Sequence, residues 1–334
     1  MSALSPTAEQ RALVEDLLRP LPQLLPHSRL QNAPAGESET WQAMADLGWF
    51  AAAASDDVGG AGLSIVECAL MGLGLGRQLA SPNVVATLFA AHLLEAAAPD
   101  LAVGLASGEQ RAAFGFRSVG GGLVAADSGE VQLIVALGEQ GLTVFTRETE
   151  GAVLHDARLL WASELETVRA APTLLEVEGA VELAEAQVLL ASLAAGLAAV
   201  AREAAVDYAK IREQFDQPIG GFQAIKHRCA DMAMRALAAE DLVGFAAVAV
   251  SARRKDAALL AAAALNVALR AALLNAAANI QIHGGIGFSD ESDAHRFLKR
   301  ARLLEAIAGG STAVRRRVLA VDASSDVANR AGPE

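Results

Sequence analysis

The 334-residue chain contains few aromatic residues, only two cysteines and no long basic segment. Aromatic side chains make up 4% of it, and alanine and leucine take their place, which favours a core of packed helices. Cys68 and Cys229 lie far apart in apolar helical patterns, so we expect buried free thiols in a reducing compartment, without disulfides or a bound metal. The formal net charge of -12 argues against nucleic-acid binding, because neutralising phosphates requires clustered Lys and Arg.

The sequence also lacks a recognisable targeting segment. Residues 1–10 are polar and have no positively charged start, unlike a signal peptide. Of the two most apolar stretches, 188–201 is too short to cross a bilayer, and 257–278 is interrupted by two asparagines and an arginine. We therefore expect both to be core helices of a soluble, cytoplasmic protein that does not enter a membrane.

Three zones of different pattern predict a mainly α fold with a small sheet in the middle. Apolar residues spaced three and four apart predict helices at 8–25, 38–47, 65–79, 82–97, 181–214, 221–251, 256–283 and 293–307. Short β-type runs at 131–137 and 142–145, with turns at 118–122 and 138–141, predict a middle domain of only a few strands. The predicted units are an N-terminal helical domain (1–108), a reduced β-domain (109–178), a four-helix bundle (179–322) and a tail (323–334).

Four stretches carry a more specific pattern. They are Trp-Gln-Ala-Met-Ala-Asp-Leu-Gly-Trp at 41–49 with the glycine-rich segment 56–64, Tyr-Ala-Lys-Ile-Arg-Glu-Gln-Phe-Asp-Gln-Pro-Ile at 208–219, Gln-Ile-His-Gly-Gly-Ile-Gly-Phe at 281–288, and the segment 291–311. In this order and at these spacings they resemble the acyl-CoA dehydrogenase family over roughly 30–110 and 185–320. The resemblance implies FAD bound between subunits, α,β-dehydrogenation of an acyl-CoA by a carboxylate base, and electron transfer to an electron-transfer flavoprotein.

The resemblance assigns the cofactor contacts to six residues: Arg212, Phe215, Gln223, Gln281, Gly284 and Gly285. At the end of a long helix the arginine can face a pyrophosphate, and the phenylalanine offers a flat face to adenine. The glycine pair lets backbone amides come close to a phosphate or ribose. The competing interpretation of the arginine is a surface ion pair with Glu213 or Asp216. His283, Asp231 and His295 are interpreted as structural.

The expected catalytic base is missing. Alignment on the basic segment that ends at Arg302 places Ala308 where the family carries its glutamate, and a methyl group cannot accept a proton. Some members place the base on the first bundle helix, where Ala186 is the matching position. Its neighbour Glu185 points about 100° away and is expected to be a solvated acid, which leaves it a weak candidate. Glu305 is expected to face solvent.

The middle zone lacks a second expected feature. No match to the family's flavin-lining Thr-Glu-x-x-x-Gly-Ser segment occurs between Arg111 and Leu137, and Trp161 is too late for the tryptophan-containing strand. In the family, the matches to Arg212, Phe215, Gln281, Gly284 and Gly285 reach the adenosine end of the neighbouring subunit's FAD. The flavin-lining segment and the base belong to the subunit that holds the flavin ring. This pattern resembles the short partner subunits of heterotetrameric acyl-CoA dehydrogenases associated with steroid-CoA side chains.

The leading hypothesis is therefore a subunit that supplies adenosine-end FAD contacts to a longer homologue carrying the base. One alternative is a self-sufficient homodimer that uses Glu185 as base. A second is a flavin-free scaffold of the same fold. The sequence identifies neither the acyl group nor the partner chain.

Overall fold

The computed structural model describes residues 4–31, 37–117, 122–126, 130–147, 155–160, 163–168 and 172–330. Six helices form its N-terminal part: α1 (Ala8–Leu17), α2 (Leu21–Leu24), α3 (Trp41–Asp46), α4 (Ile65–Arg77), α5 (Pro82–Leu93) and α6 (Pro99–Ala106). Side-chain hydrogen bonds to backbone N–H groups cap the N-termini of α1, α4 and α5. Thr7 and Gln10 form a capping box at α1, and the Ser64 and Ser81 hydroxyls accept backbone N–H groups at the starts of α4 and α5.

A seven-stranded sheet follows. Its strands are β1 (Ala112–Arg117), β2 (Leu123–Ala126), β3 (Leu133–Leu137), β4 (Leu142–Thr146), β5 (His155–Leu160), β6 (Ser163–Val168) and β7 (Thr173–Val177), in the spatial order β5-β6-β2-β1-β3-β4-β7. Among the strand pairs in the described part of the sheet, only β1–β3 is parallel. The predicted runs at 131–137 and 142–145 and the turn at 138–141 are confirmed, but the expectation of only a few strands is wrong.

Long helices form the C-terminal part. They are α7 (Ala180–Ile211), α8 (Gln223–Ser251), α9 (Ala257–His283), α10 (Ala294–Ile307) and α11 (Gly310–Arg330), with the two-stranded hairpin β8 (Glu213–Gln214) and β9 (Gln217–Pro218) between α7 and α8. The mainly α fold is confirmed, and the predicted bundle segments agree with α7 to α10 within a few residues. The four-part domain division stays a prediction. The segment expected as a tail from 323 is helical up to Arg330, because no proline or glycine interrupts it before Gly332.

Glycine allows α4 and α7 to touch backbone to backbone. A Cβ atom at Gly196 on α7 would lie 2.1 Å from the Leu73 carbonyl oxygen, and one at Gly76 would lie 2.2 Å from that of Leu193. Such distances exclude any larger residue without separation of the two helices. The contact joins the N-terminal helices to the bundle.

Two helices are long and apolar enough to span a membrane by composition alone, α7 and the stretch Ala257–Phe288 that contains α9. The most apolar window of α7 is 89% buried in the fold, which confirms the expected core helix. The corresponding window of Ala257–Phe288 is only 44% buried, so one face of α9 is uncovered by this chain.

Candidate cofactor and catalytic sites

The C-terminal ends of α7 and α9 meet the start of α8 at one end of the bundle. The rings of Tyr208 and His283 stack with centroids 4.1 Å apart, and a small apolar cluster that includes Met232 packs beneath them. The fold therefore brings the motifs at 208–219 and 281–288 together, as the resemblance implies. We call this region the adenosine end.

Arg212 is the C-cap residue of α7, directly after its last helical residue. Its backbone N–H donates to the Tyr208 carbonyl at 2.9 Å, and its own carbonyl accepts from the Ile219 N–H at 2.8 Å. Its side chain is exposed, and no ion pair with Glu213 or Asp216 forms. The backbone is thus fixed while the guanidinium stays available to a ligand outside this chain.

The hairpin after α7 presents Phe215 to solvent. The φ angles of Phe215 and Asp216 are 54° and 60°, so both turn residues adopt the left-handed conformation of a type I′ turn. That conformation is costly for a non-glycine residue, and it leaves the phenyl ring 86% exposed. A strained turn that exposes a large apolar ring fits a surface that is covered by another molecule.

The remaining predicted cofactor residues, Gln223, Gln281, Gly284 and Gly285, are all exposed at the same end. Gly284 has φ 68° and ψ -142°, a combination that is essentially confined to glycine. No atom lies within 4 Å of a Cβ built at either glycine, so open space adjoins this backbone. An exposed cation, an exposed aromatic ring and an accessible glycine backbone fit the diphosphate and adenosine of FAD.

The residues interpreted as structural make contacts within the chain. Nδ1 of His283 lies 2.9 Å from the Asn279 carbonyl, and Asp231 approaches Arg235 at 3.9 Å. His295 is 9% exposed, and burial lowers its pKa while Lys299 and Arg296 add to the effect. Trp161 and most of the predicted turn at 118–122 lie outside the described residues.

Both positions predicted to match the family's base are occupied by buried methyl groups. Ala308 and Ala186 are 0% exposed. The Ala308 carbonyl accepts a hydrogen bond from Arg317 Nη1 at 2.8 Å, and Gly309 and Gly310 follow with φ angles of 89° and 81°. Neither position offers a proton acceptor on its side chain.

Glu185 is not the solvated acid that the sequence predicts. It lines a cavity of about 350 Å³ between α4, α5, α7 and α8, where Cys68, Phe89 and Leu189 supply apolar walls. Burial raises its pKa, and the charge of Glu182 adds to this, whereas His92 and Arg253 act in the opposite direction.

Glu95 is a second acid that lines the same cavity, and its carboxylate is held by contacts within the chain. Glu95 accepts the Ser55 N–H at 3.0 Å and lies 3.1 Å from Nδ1 of His92. Sequence patterns gave no sign of this cluster, because its members come from three segments distant in the chain.

Glu305 also differs from expectation. Its side chain is only 16% exposed, and it accepts a hydrogen bond from Arg302 at 2.8 Å. It lines a different cavity, between α9, α10 and α11. The two acids near the predicted base positions therefore face separate spaces.

Two family descriptions match the chain, the acyl-CoA dehydrogenase N-terminal domain at residues 7–114 and the acyl-CoA dehydrogenase C-terminal domain at residues 180–323. The chain is 35% identical to acyl-CoA dehydrogenase FadE34 of Mycobacterium tuberculosis over 86% of its own length but only 43% of that protein. It is 34% identical to acyl-CoA dehydrogenase IpdE2 of the same organism, over 79% of this chain and 80% of IpdE2.

Solved structures share the fold at lower identity. A variant of the Tcur3481-Tcur3483 steroid ACAD matches with a TM-score of 0.79 at 23% identity, over 96% of this chain and 98% of that one. A chain of the ChsE4-ChsE5 complex from Mycobacterium tuberculosis matches with a TM-score of 0.74 at 21% identity, over 99% and 100%. Together with the geometry of the adenosine end, these matches show that the chain belongs to the acyl-CoA dehydrogenase family, a family of FAD-dependent oxidoreductases.

Proposed function

We propose that this chain is a subunit of a heteromeric acyl-CoA dehydrogenase and that it contributes adenosine-end contacts to FAD held by a longer homologue. One observation carries the proposal. The six predicted cofactor residues are gathered on an exposed surface, whereas both base positions, Ala186 and Ala308, are buried methyl groups. The chain therefore exposes side chains and backbone that can bind a cofactor, whereas neither predicted base position carries a side chain that can accept a proton.

In the proposed complex, residues of this chain bind the diphosphate and adenosine of FAD and orient the cofactor. Arg212 donates charge-assisted hydrogen bonds to the diphosphate, and the Phe215 ring packs on adenine. Backbone N–H groups at Gly284 and Gly285 and the Gln281 amide complete the contacts to the ribose or base edge. FAD, when bound, supplies the hydride acceptor for the substrate's β-carbon. The carboxylate that takes the α-proton comes from the partner chain.

The proposal extends to partners and substrate. The matched structures include the ChsE4-ChsE5 complex and the Tcur3481-Tcur3483 steroid ACAD. They favour a second protein chain and a steroid substrate for this subunit as well. We propose a heterotetramer with two copies of each chain, a steroid side-chain CoA thioester as substrate, and an electron-transfer flavoprotein as electron acceptor. A cytoplasmic location is part of the same proposal.

Co-expression with the longer homologue tests the assignment of Arg212. We expect Arg212→Ala to reduce the FAD retained by the intact complex, because a charge-assisted hydrogen bond contributes about 1.5–3 kcal/mol. Arg228→Ala is the matched control, since Arg228 is an exposed cation on the neighbouring helix α8. Equal FAD content in wild type and both variants after dialysis, with the complex intact, would remove Arg212 from the cofactor site.

The cavity at Glu185 favours a second candidate function, a self-sufficient homodimer with Glu185 as base. A half-buried carboxyl with a raised pKa beside an apolar wall is suited to proton abstraction. Expressed alone, such a protein retains FAD and reduces an artificial acceptor with an acyl-CoA. Glu185→Gln then abolishes turnover while FAD stays bound.

A further inference from the structure

One face of α8 is left exposed by the described part of the chain. Around Met234 the exposed residues lie three or four apart, which is the spacing of a single helix face. Met234 and Leu237 at its centre are 64% and 59% exposed, although both are large and apolar. Neighbouring apolar side chains of this size mark a surface that another molecule covers. We call this face the α8 stripe, and it consists of His227, Ala230, Asp231, Met234, Leu237, Ala238 and Asp241.

The α8 stripe is balanced about Met234. Ala230 and Ala238 lie four residues to either side of it, so small side chains flank the methionine equally. His227 and Asp241 lie seven residues to either side, which is about two helical turns or roughly 10 Å. The imidazole at one end can donate a hydrogen bond, and the carboxylate at the other end can accept one.

This arrangement fits a second copy of the same helix that runs antiparallel to the first. A two-fold axis at Met234 places each residue opposite the one that lies equally far on the other side. His227 then faces Asp241 of the second copy, and the symmetry repeats the pair at the other end. Ala230 faces Ala238 of the second copy, so the helices can approach to the usual interaxial distance of about 8–10 Å.

The surrounding charges favour the antiparallel direction. Residues 226–228 are Lys-His-Arg, and residues 240–241 are Glu-Asp. A parallel pair in register would bring the basic run against itself and the acidic pair against itself, and like charges across an interface are unfavourable. The antiparallel pair brings the basic run against the acidic one. Asp231 lies at the edge of the stripe and approaches Arg235 of its own helix at 3.9 Å.

We propose that two copies of this chain associate through the α8 stripe, with Met234 on the two-fold axis between them. The inference deepens the proposed function and rests on it only for the presence of two copies, since that function does not say how the copies meet. Gln223, which is assigned to FAD, precedes the stripe by one helical turn and stays outside it. Failure of the stripe therefore leaves the FAD contacts intact.

Oxidative cross-linking of the full chain, alone and in the complex with the longer homologue, tests the register. At an interaxial distance of about 8–10 Å, two residues on the axis face each other within reach of a disulfide. We expect Met234→Cys to form a covalent dimer of this chain. Leu237→Cys is the matched control: it is similarly exposed, but its two copies are offset by about 9 Å along the helices, so it should cross-link at least tenfold more slowly. Wild type, with Cys68 buried and Cys229 outside the stripe, gives the background.

Exchange of the two end residues tests the pairing. His227→Asp places two carboxylates opposite each other, and Asp241→His leaves two imidazoles without an acid. We expect each change to raise the Kd of the dimer at least tenfold in sedimentation equilibrium. The double variant restores both pairs with their members exchanged, and its Kd should return to within threefold of wild type. Circular dichroism of each variant establishes that the helices are retained.

Three results would overturn the proposal. The first is that Met234→Cys cross-links no faster than Leu237→Cys. The second is a covalent product in the complex that joins this chain to the longer homologue, which would make the homologue the occupant of the stripe. The third is a double variant that associates as weakly as the single variants. None of these results changes FAD retention by the wild-type complex, so they are distinguishable from failure of the proposed function.

Discussion

Replacement of Arg317 by methionine should destabilise the chain by about 3 kcal/mol. Arg317 lies on α11 with 4% exposure, and its guanidinium donates to three carbonyls from two segments: Gly138 at 2.8 Å, Leu137 at 3.1 Å and Ala308 at 2.8 Å. It ties the turn between β3 and β4 to the end of α10. The hydrogen bonds to Leu137 and Ala308 are buried, so removal of the donor leaves these two carbonyls without it and away from water, whereas the exposed Gly138 carbonyl can be hydrated.

The magnitude follows from two opposing contributions. Three hydrogen bonds from a charged group contribute about 1.5–3 kcal/mol each, or roughly 4.5–9 kcal/mol together. Burial lowers the pKa of Arg317 from its ordinary value to about 10. That change corresponds to a desolvation cost of about 3 kcal/mol. The difference is roughly 1–6 kcal/mol, with a central value near 3 kcal/mol.

Urea unfolding followed by circular dichroism measures this effect. We expect the unfolding midpoint of Arg317→Met to fall well below that of wild type, with Arg317→Lys intermediate because an ammonium group cannot reach all three carbonyls. Arg316→Met, an exposed neighbouring arginine, is the control and should stay within about 0.5 kcal/mol of wild type. If Arg317→Met also stays within that range, the three hydrogen bonds do not hold the sheet to the bundle.

Three further predictions concern the interface, the acids and the helix contact. Phe215→Ala should leave thermal stability unchanged, since the ring is 86% exposed, but should lower FAD retention in the complex; a loss of stability in the isolated chain would contradict an intermolecular role. Glu185→Gln and Glu305→Gln should each keep the turnover rate of the complex within a few-fold of wild type. Loss of a catalytic base lowers the rate by about 10²–10⁴, so a loss of that size in steady-state assays would make this chain catalytic. Gly196→Ala should destabilise the chain by about 1–3 kcal/mol because its methyl meets the Leu73 backbone, while Gly74→Ala, which meets the end of the Leu18 side chain, should cost less in the same denaturation assay.

The bundle and its adenosine end could be predicted from the sequence because their signals are local. Long apolar periodicity fixes α7 and α9, and the motifs around Arg212 and Gly284 lie at helix ends, where the next element begins. The exposed Phe215 ring follows from the same motif. These features depend on a few consecutive residues, and the fold only has to bring the helix ends together.

The sheet and the Glu185 cavity depend on contacts between distant segments. β5 pairs with β6, and β6 pairs with β2 across about forty residues, yet strands such as Ser163–Val168 contain acids that break a continuous apolar run. The neighbouring Glu182 and the position near a helix start predict a solvent-exposed Glu185, which the structure does not show. In the fold, the C-terminal ends of α5 and α8 lie beside Glu185 around the cavity. The residue pattern of α7 alone contains no information about these neighbouring helices.

In the proposed complex, this chain supplies only the adenosine side of the cofactor site. The most direct test is the ratio of FAD to each chain in the purified complex with the longer homologue, from flavin absorbance and quantitative mass spectrometry. We expect one FAD per partner chain and none in addition for this chain, hence two in a heterotetramer. One FAD for every chain of both kinds, or stoichiometric FAD in this chain purified alone, would contradict it.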